Sequence, residues 1–509
     1  MFLNPTSDKE RRYLLAFQVS ITATCLGLWT LLGGESLLNS DDVLYAQMAR
    51  ESLANGSYVE HSWMGVTLFE KPPLLLWLLQ LSGALFGFSD AAMRLPAAIG
   101  ATLTLVYVYK LTRLIILRED RWMWPWLSVA LLVASWTFME AGGRVMTDSL
   151  LSASVVAMCY YALKLEQSEQ TKWSVCLGLA AGLGFMAKSF ALGPAAVSVM
   201  GYLLWRKHYK GLLVALGSAS LVALPWHVLM TLRHGTEFWE VYVGYHVLGR
   251  AQGIAVGQHG PEFYFSEMLT SDPLVIMVLL PGLIICGGYI LKRKETSPLL
   301  PLMMACIGLV FLHVSQTKFL HYMLPVIPLM VVVTTFMVTQ ITKRKFGFQL
   351  MIVLAIASLS SYPQAEPNTS YQPELRHLAK KFVEPLPIDA RLIVFNEYAP
   401  ALYYYGQREG ELWTDSERFY AIQQSIDMMR RSEIVHQATS QKLTSLRNDN
   451  RAMILIAPHA RMDSMAEEVK NNPMSQVLRR LLNDFAQDKR KFAWHREFNH
   501  LIVHVEARR

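Results

Sequence analysis

Apolar stretches of about 17–22 residues recur along the first 362 positions, each long enough to cross the hydrocarbon core of a bilayer as one helix. Few other folds tolerate that pattern. The chain is 52% hydrophobic and only 17% charged, which separates it from ordinary soluble domains. The first apolar stretch, Tyr13 to about Gly33, follows "SDKERR". It lacks a small-x-small cleavage site and is expected to be retained as a span.

Charge orders the spans. The net charge is +7, and the Lys and Arg residues gather in loops between the apolar stretches. This is the positive-inside pattern, which sets orientation and does not imply a nucleic-acid partner. The basic loops lie at the start of the chain and near 111–121, 164–172, 205–211, 291–295 and 341–345. If all are cytoplasmic, the spans between them come in even numbers. Spans near 13–33, 93–112, 122–140, 147–164, 173–188, 190–205, 211–230, 273–291, 298–314, 320–340 and 346–362 meet that condition. The reading is about eleven transmembrane helices, with the C-terminal tail outside.

The apolar run 71–88 would break the charge rule if it spanned, so it reads as a helix lying on the membrane or dipping into it. Pro72 and Pro73 suit its first turn. Past residue 362 a Pro- and Ser-rich linker leads into mixed sequence. "RLIVFNEY", "AMILIAPH" and "FNHLIVHVE" read as buried strands there, while "AIQQSIDMMRRSE" and "MSQVLRRLLNDFAQ" read as helices. The division expected is a transmembrane domain over 1–362 and a small extracytoplasmic α/β domain over 363–509. The five cysteines all fall in apolar stretches without metal spacing.

This topology gathers ionisable residues at the outer ends of spans. Asp41 and Asp42 open a short helical pattern that reads as amphipathic, and Glu70 and Lys71 share their loop. Arg144 and Asp148 lie between the third and fourth spans, and Lys188 between the fifth and sixth. His246, Arg250 and His259 lie in the long loop 231–272, and Lys318, His321 and Tyr322 in a later one. Ionisable groups beside spans are expensive and point to function. Each has a bland alternative. Asp41 or Asp148 can cap the helix that follows. Lys188 can reach to the interface along its alkyl stem. Arg144 can pair structurally with Asp148, and Arg250 can share a solvated helix face with His246.

Cations at headgroup depth suit a lipid phosphate. They would also stabilise charge building on a phosphate leaving group. A nearby carboxylate can act as base toward an acceptor hydroxyl, or orient the acceptor and balance positive charge on a sugar carbon. Together these parts describe sugar transfer from a lipid-phosphate carrier. No nucleotide-binding loop is present in the sequence.

In sequence order, "DDVLYAQMARESLANGSY", "FEKPPLLLWL" then "ALFG", "MRLPAAIGA", "RVMTDSLL", "GLGFMAKSFALGPAAV", "LPWHVLM", "FWEVYVGYHVLGRA", "HGPEFYF" and "TKFLHYMLP" occupy roughly the first 330 residues. With these pieces the chain resembles the polyprenyl-phosphate-sugar-dependent glycosyltransferases of the GT-C fold, the group that includes protein O-mannosyltransferases. The likeness is strongest to the bacterial lipid A aminoarabinose transferases.

The resemblance implies roles. Asp41 matches the catalytic carboxylate, with Asp42 beside it, and Asp148 the acid of the second outer loop. Lys71 and Lys188 match lysines near the carrier phosphate, where Arg250 is also expected. Asp42, Arg144, Lys318 and Tyr322 are expected on the substrate side. Glu70 and His246 match a pair implicated in holding a divalent metal, and no other cofactor is implied. Three departures stand out: Asp42 replaces Glu, Leu44 replaces Arg, and Ser189 replaces Gly.

The expected protein is an inverting glycosyltransferase of a bacterial inner membrane with a GT-C fold. Its partners would be membrane lipid, a polyprenyl-phosphate-sugar donor and a glycolipid such as lipid A. Secreted-protein acceptors are the alternative within enzymes. A lipid-linked sugar transporter is the alternative outside them, disfavoured because the charges sit at span ends rather than at midplane.

Overall fold

In a computed structural model of the chain, the described residues are 36–38, 41–116, 123–249, 252, 259–293, 296–341, 349, 353, 356, 372–387, 389–395, 399–414, 435–437, 446, 448–458, 492–497 and 500–507. Contacts divide the chain into two compact units, Met1–Gly34 with Phe69–Asn368, and Glu35–Leu68 with Thr369–Arg509. The division expected at residue 362 differs in one respect: residues 35–68 cluster with the C-terminal part.

The first unit is helical. Among the described residues, four stretches are long and apolar enough to cross a membrane: Asp90–Ile115, Thr171–Trp205, Tyr209–Gly249 and Val275–Lys292. The expected spans 13–33 and 346–362 fall outside the described residues, apart from isolated positions in the second. The helix Leu74–Phe86, in the run 71–88, has 13 residues. It rises about 20 Å, short of the roughly 30 Å hydrocarbon core. The chain stops helical at Gly87, where φ is 75°.

Local chemistry breaks some expected spans. The apolar run 122–140 divides into Met123–Val133 and Trp136–Gly142. Ser135 caps the second piece, and its hydroxyl donates to the buried Asp272 carboxylate at 2.6 Å. The same carboxylate accepts from Thr137 N at 3.0 Å, satisfying an orphan donor of the first turn. The expected span 211–230 extends over Tyr209–Trp239 and bends at Gly235, where φ 56° suits a residue without Cβ. Ten further residues, Glu240–Gly249, wind as a π-helix. Close approach between helices relies on small residues. At Gly100, a Cβ would fall 2.8 Å from Leu150 N, so the helices Asp90–Ile115 and Asp148–Ser168 meet backbone to backbone.

The second unit holds the helix Asp41–Ala54, the hairpin β1 (His61–Trp63) and β2 (Val66–Leu68), and a mixed sheet. Met64 and Gly65 turn the hairpin with positive φ at both positions. The sheet comprises β3 (Arg391–Phe395), β4 (Glu411–Thr414), β5 (Val435–Gln437), β6 (Met453–Pro458), β7 (Phe492–Glu497) and β8 (His500–Val505), ordered β5-β4-β3-β6-β8-β7. Strands β5, β4, β3 and β6 run parallel, with Leu392 opposite Ile454. Strand β8 pairs antiparallel with both β6 and β7. Met453 to Ile456 are wholly buried, which explains a continuous apolar run in place of alternation. The two helices expected over 421–433 and 474–487 lie outside the described residues.

The Asp41–Ala54 helix forms as expected, but it is not amphipathic. Asp42, Gln47, Glu51 and Ser52 are buried along with Val43, Leu44 and Met48. Packing within the second unit covers it on nearly every side, so buried polar groups must find partners there. One such partner is internal: Gln47 Nε2 donates to Glu51 Oε1 at 2.7 Å.

Candidate active site

Two helix ends build the centre of the site in the first unit. Asp148 is the first residue of the helix Asp148–Ser168, and Lys188 the last of Thr171–Lys188. A carboxylate at an N-terminus and an ammonium at a C-terminus both complement the helix dipole. Their side chains meet, with Lys188 Nζ 2.6 Å from Asp148 Oδ1. Asp148 makes no cap: Thr147 precedes the helix without a side-chain cap bond, and the carboxylate turns to Lys188 instead. The pair is largely shielded, with side-chain exposures of 15% for Lys188 and 2% for Asp148. Lys188 is therefore not reaching out to an interface. Asp148 Oδ2 is buried and has no hydrogen-bond partner among the described residues.

More groups surround this pair. Lys188 Nζ lies 4.3 Å from the ring centroid of Tyr322, a cation–π distance. The charges of His321 and Lys71 also act on Asp148. His321 lies edge-on to Tyr322, with ring centroids 4.9 Å apart. The turn Leu320–Met323 presents both. Tyr264 interacts electrostatically with Tyr322 and Asp148. Lys71, Asp148, Lys188 and Tyr322 were expected here. His321 was among the outer-loop ionisable residues without an assigned role; Tyr264 is gained from the structure and lies in the motif "HGPEFYF".

Other expected residues lie differently. Arg144 forms its ion pair with Glu140, one turn back, at 3.8 Å, rather than with Asp148. Lys318 is only 2% exposed, and its ammonium donates to the carbonyls of His259 and Ser315. That makes it a clamp between two backbone segments. His246 sits in the π-helix with its ring 4.9 Å from that of Tyr245. Arg250 lies outside the described residues. Glu70 and His246 do not belong to any group of three or more His, Cys, Asp or Glu side chains able to hold a metal among the described residues.

Asp41 and Asp42 belong to the second unit. They occupy the first turn of their helix, where negative charge is favoured. Tyr45 donates its hydroxyl to Asp41 Oδ2 at 3.3 Å, and Asp42 is 2% exposed.

The fold has solved counterparts. It superposes on ArnT from Cupriavidus metallidurans, solved bound to undecaprenyl phosphate, with a TM-score of 0.72 at 14% identity, covering 96% of this chain and 98% of that one. The archaeal oligosaccharyltransferase AglB from Archaeoglobus fulgidus is more distant, with a TM-score of 0.51 at 15% identity over 79% of this chain and 65% of that one. Residues 70–229 match the dolichyl-phosphate-mannose-protein mannosyltransferase family.

Among individual proteins, the chain is similar to bacterial undecaprenyl phosphate-aminoarabinose arabinosyl transferases. It is 30% identical to the undecaprenyl phosphate-alpha-4-amino-4-deoxy-L-arabinose arabinosyl transferase of Erwinia tasmaniensis, over 62% of this chain and 58% of that protein. The counterpart from Pseudomonas savastanoi is 28% identical over 58% of this chain and 56% of its own length. The chain thus matches between half and two thirds of the length of these relatives.

Proposed function

We propose that this protein transfers a glycosyl group from a polyprenyl-phosphate-linked sugar, with undecaprenyl phosphate as carrier, to an envelope glycolipid, lipid A first. The reaction would take place on the outer face of a bacterial inner membrane. The observation that carries the reading is the shielded Lys188–Asp148 pair, with Lys71, His321 and Tyr322 around it. Support comes from the donor named in the relatives and from the carrier bound in the structural neighbour.

In this reading Lys71 and Lys188 hold the carrier phosphate. Asp148 fixes the Lys188 ammonium and keeps it charged, and Tyr322 packs on that ammonium. The acceptor oxygen attacks the anomeric carbon from the face opposite the phosphate. The new C–O bond forms as the anomeric carbon–phosphate oxygen bond breaks. The electron pair leaves with polyprenyl phosphate, whose growing charge the lysines stabilise. One displacement inverts the anomeric centre. A lipid A phosphate is largely ionised near pH 7 and needs no base; Asp41 then orients the acceptor or balances charge. A hydroxyl acceptor must lose its proton, and Asp41 takes it. The protein-acceptor alternative draws on the family matched over residues 70–229.

The direct test supplies the purified full-length protein with undecaprenyl phosphate-linked 4-amino-4-deoxy-L-arabinose and lipid A. Glycosylated lipid A should form, and Lys188→Ala should slow its formation about 100-fold. Wild-type rates in Lys188→Ala would remove the phosphate-binding role.

A further inference from the structure

The helix bearing Asp41 is packed in one compact unit with the C-terminal sheet, and a short strip of that unit grips it at several points. The strip is Tyr403, Tyr404 and Tyr405, in the helix Pro400–Tyr405, with exposures of 1%, 1% and 6%. Each tyrosine engages the Asp41 segment differently. The Tyr405 hydroxyl accepts a hydrogen bond from Leu37 N at 2.7 Å, four residues before Asp41. The Tyr404 carbonyl accepts from the Arg50 guanidinium, whose Cζ also lies 4.4 Å from the Tyr404 ring centroid. The Tyr403 ring meets Trp63 of the hairpin edge-on, with centroids 6.4 Å apart. Just beyond the strip, Gln47 Nε2 reaches the Arg408 carbonyl at 3.4 Å.

These contacts hold the segment before, along and after the helix. A helix of 14 residues is marginal alone in water, so its shape depends on what it packs against. We propose that Tyr403, Tyr404 and Tyr405 are positioning residues for Asp41. The C-terminal domain then serves transfer by fixing the helix that presents this carboxylate. The inference rests on the role given to Asp41 above. It assigns work to residues whose sequence carries no catalytic motif.

Tyr405→Phe removes one hydroxyl and keeps the ring. Gly201→Ala, in the helical unit where an added Cβ meets nothing within 4 Å, serves as the control. Full-length protein is compared by amide hydrogen exchange and by steady-state transfer from undecaprenyl phosphate-linked 4-amino-4-deoxy-L-arabinose to lipid A. In Tyr405→Phe, exchange across Asp41–Ala54 should speed up about tenfold while β3, β6 and β8 stay protected. Turnover should fall about tenfold, with KM for the donor changed less than about twofold. Gly201→Ala should match wild type in both. Unchanged exchange in Asp41–Ala54, or equal loosening of the sheet, overturns the inference. So does full turnover alongside faster exchange. Asp41→Asn separates the two ideas. If it transfers normally, the role of Asp41 fails. If it is inactive while Tyr405→Phe is fully active, only the positioning inference fails.

Discussion

A buried Lys–Asp pair is a poor stabiliser in itself, because desolvating both charges offsets most of their attraction. Its value at Asp148 and Lys188 lies in holding an ammonium at one place. Asp148→Asn should therefore lower transfer at least tenfold while weakening stability by about 3–5 kcal/mol, since Lys188 loses its partner in a shielded site. Thermal unfolding and transfer assays check both. Other buried ionisable residues set the pH response of the second unit. Burial raises the Glu51 carboxyl from 4.5 to about 7, against the hydrogen bond from Gln47, while burial lowers His61 from 6.5 to about 4. The folded state thus holds the Glu51 proton more tightly than the unfolded one. Its contribution is fully present below about pH 4.5 and is lost as pH rises through about 7. His61 acts in the opposite sense, its contribution being lost as pH falls from 6.5 through about 4. Near pH 7 and just below, Glu51 dominates. Glu51→Gln should flatten the stability profile there and raise stability at pH 8 by about 3 kcal/mol. A profile parallel to wild type would contradict this.

Elements show how much could be read in the sequence. Hydropathy and loop charge located the helices around 93–112, 147–164, 173–188 and 298–314 because each is a continuous apolar run with a basic loop at one end. The break at Ser135 was hidden, since its cause is Asp272, a carboxylate 137 residues away. The burial of the Asp41–Ala54 helix was equally hidden: its polar residues read as a solvated face until the tyrosine strip was seen against them. The site divides the same way. Asp148, Lys188 and Tyr322 could be singled out as costly or motif residues and lie together in the structure, while the carbonyl partners of Lys318 could not be read from the sequence. Close helix packing gives this scale its prediction. Gly100→Val would press its new side chain into Ser149 and Leu150 backbone, directly beside Asp148. It should cost about 1–3 kcal/mol and reduce transfer. Gly201→Ala, where a Cβ meets nothing within 4 Å, should do neither. Equal melting temperatures for Gly100→Val and wild type would rule out the packing argument.

At the scale of the whole molecule, Lys71, Asp148, Lys188 and Tyr322 belong to one compact unit, and Asp41 to the other. Leu44, one of the departures noted in the sequence, is buried, and the sugar is best identified from the product. Mass spectrometry of envelope glycolipids, lipid A included, makes that identification in cells carrying the wild-type chain, Asp41→Asn, or no copy. The account predicts a glycolipid species heavier by one sugar residue that appears only with the wild-type chain. Identical glycolipid spectra in all three strains would contradict it.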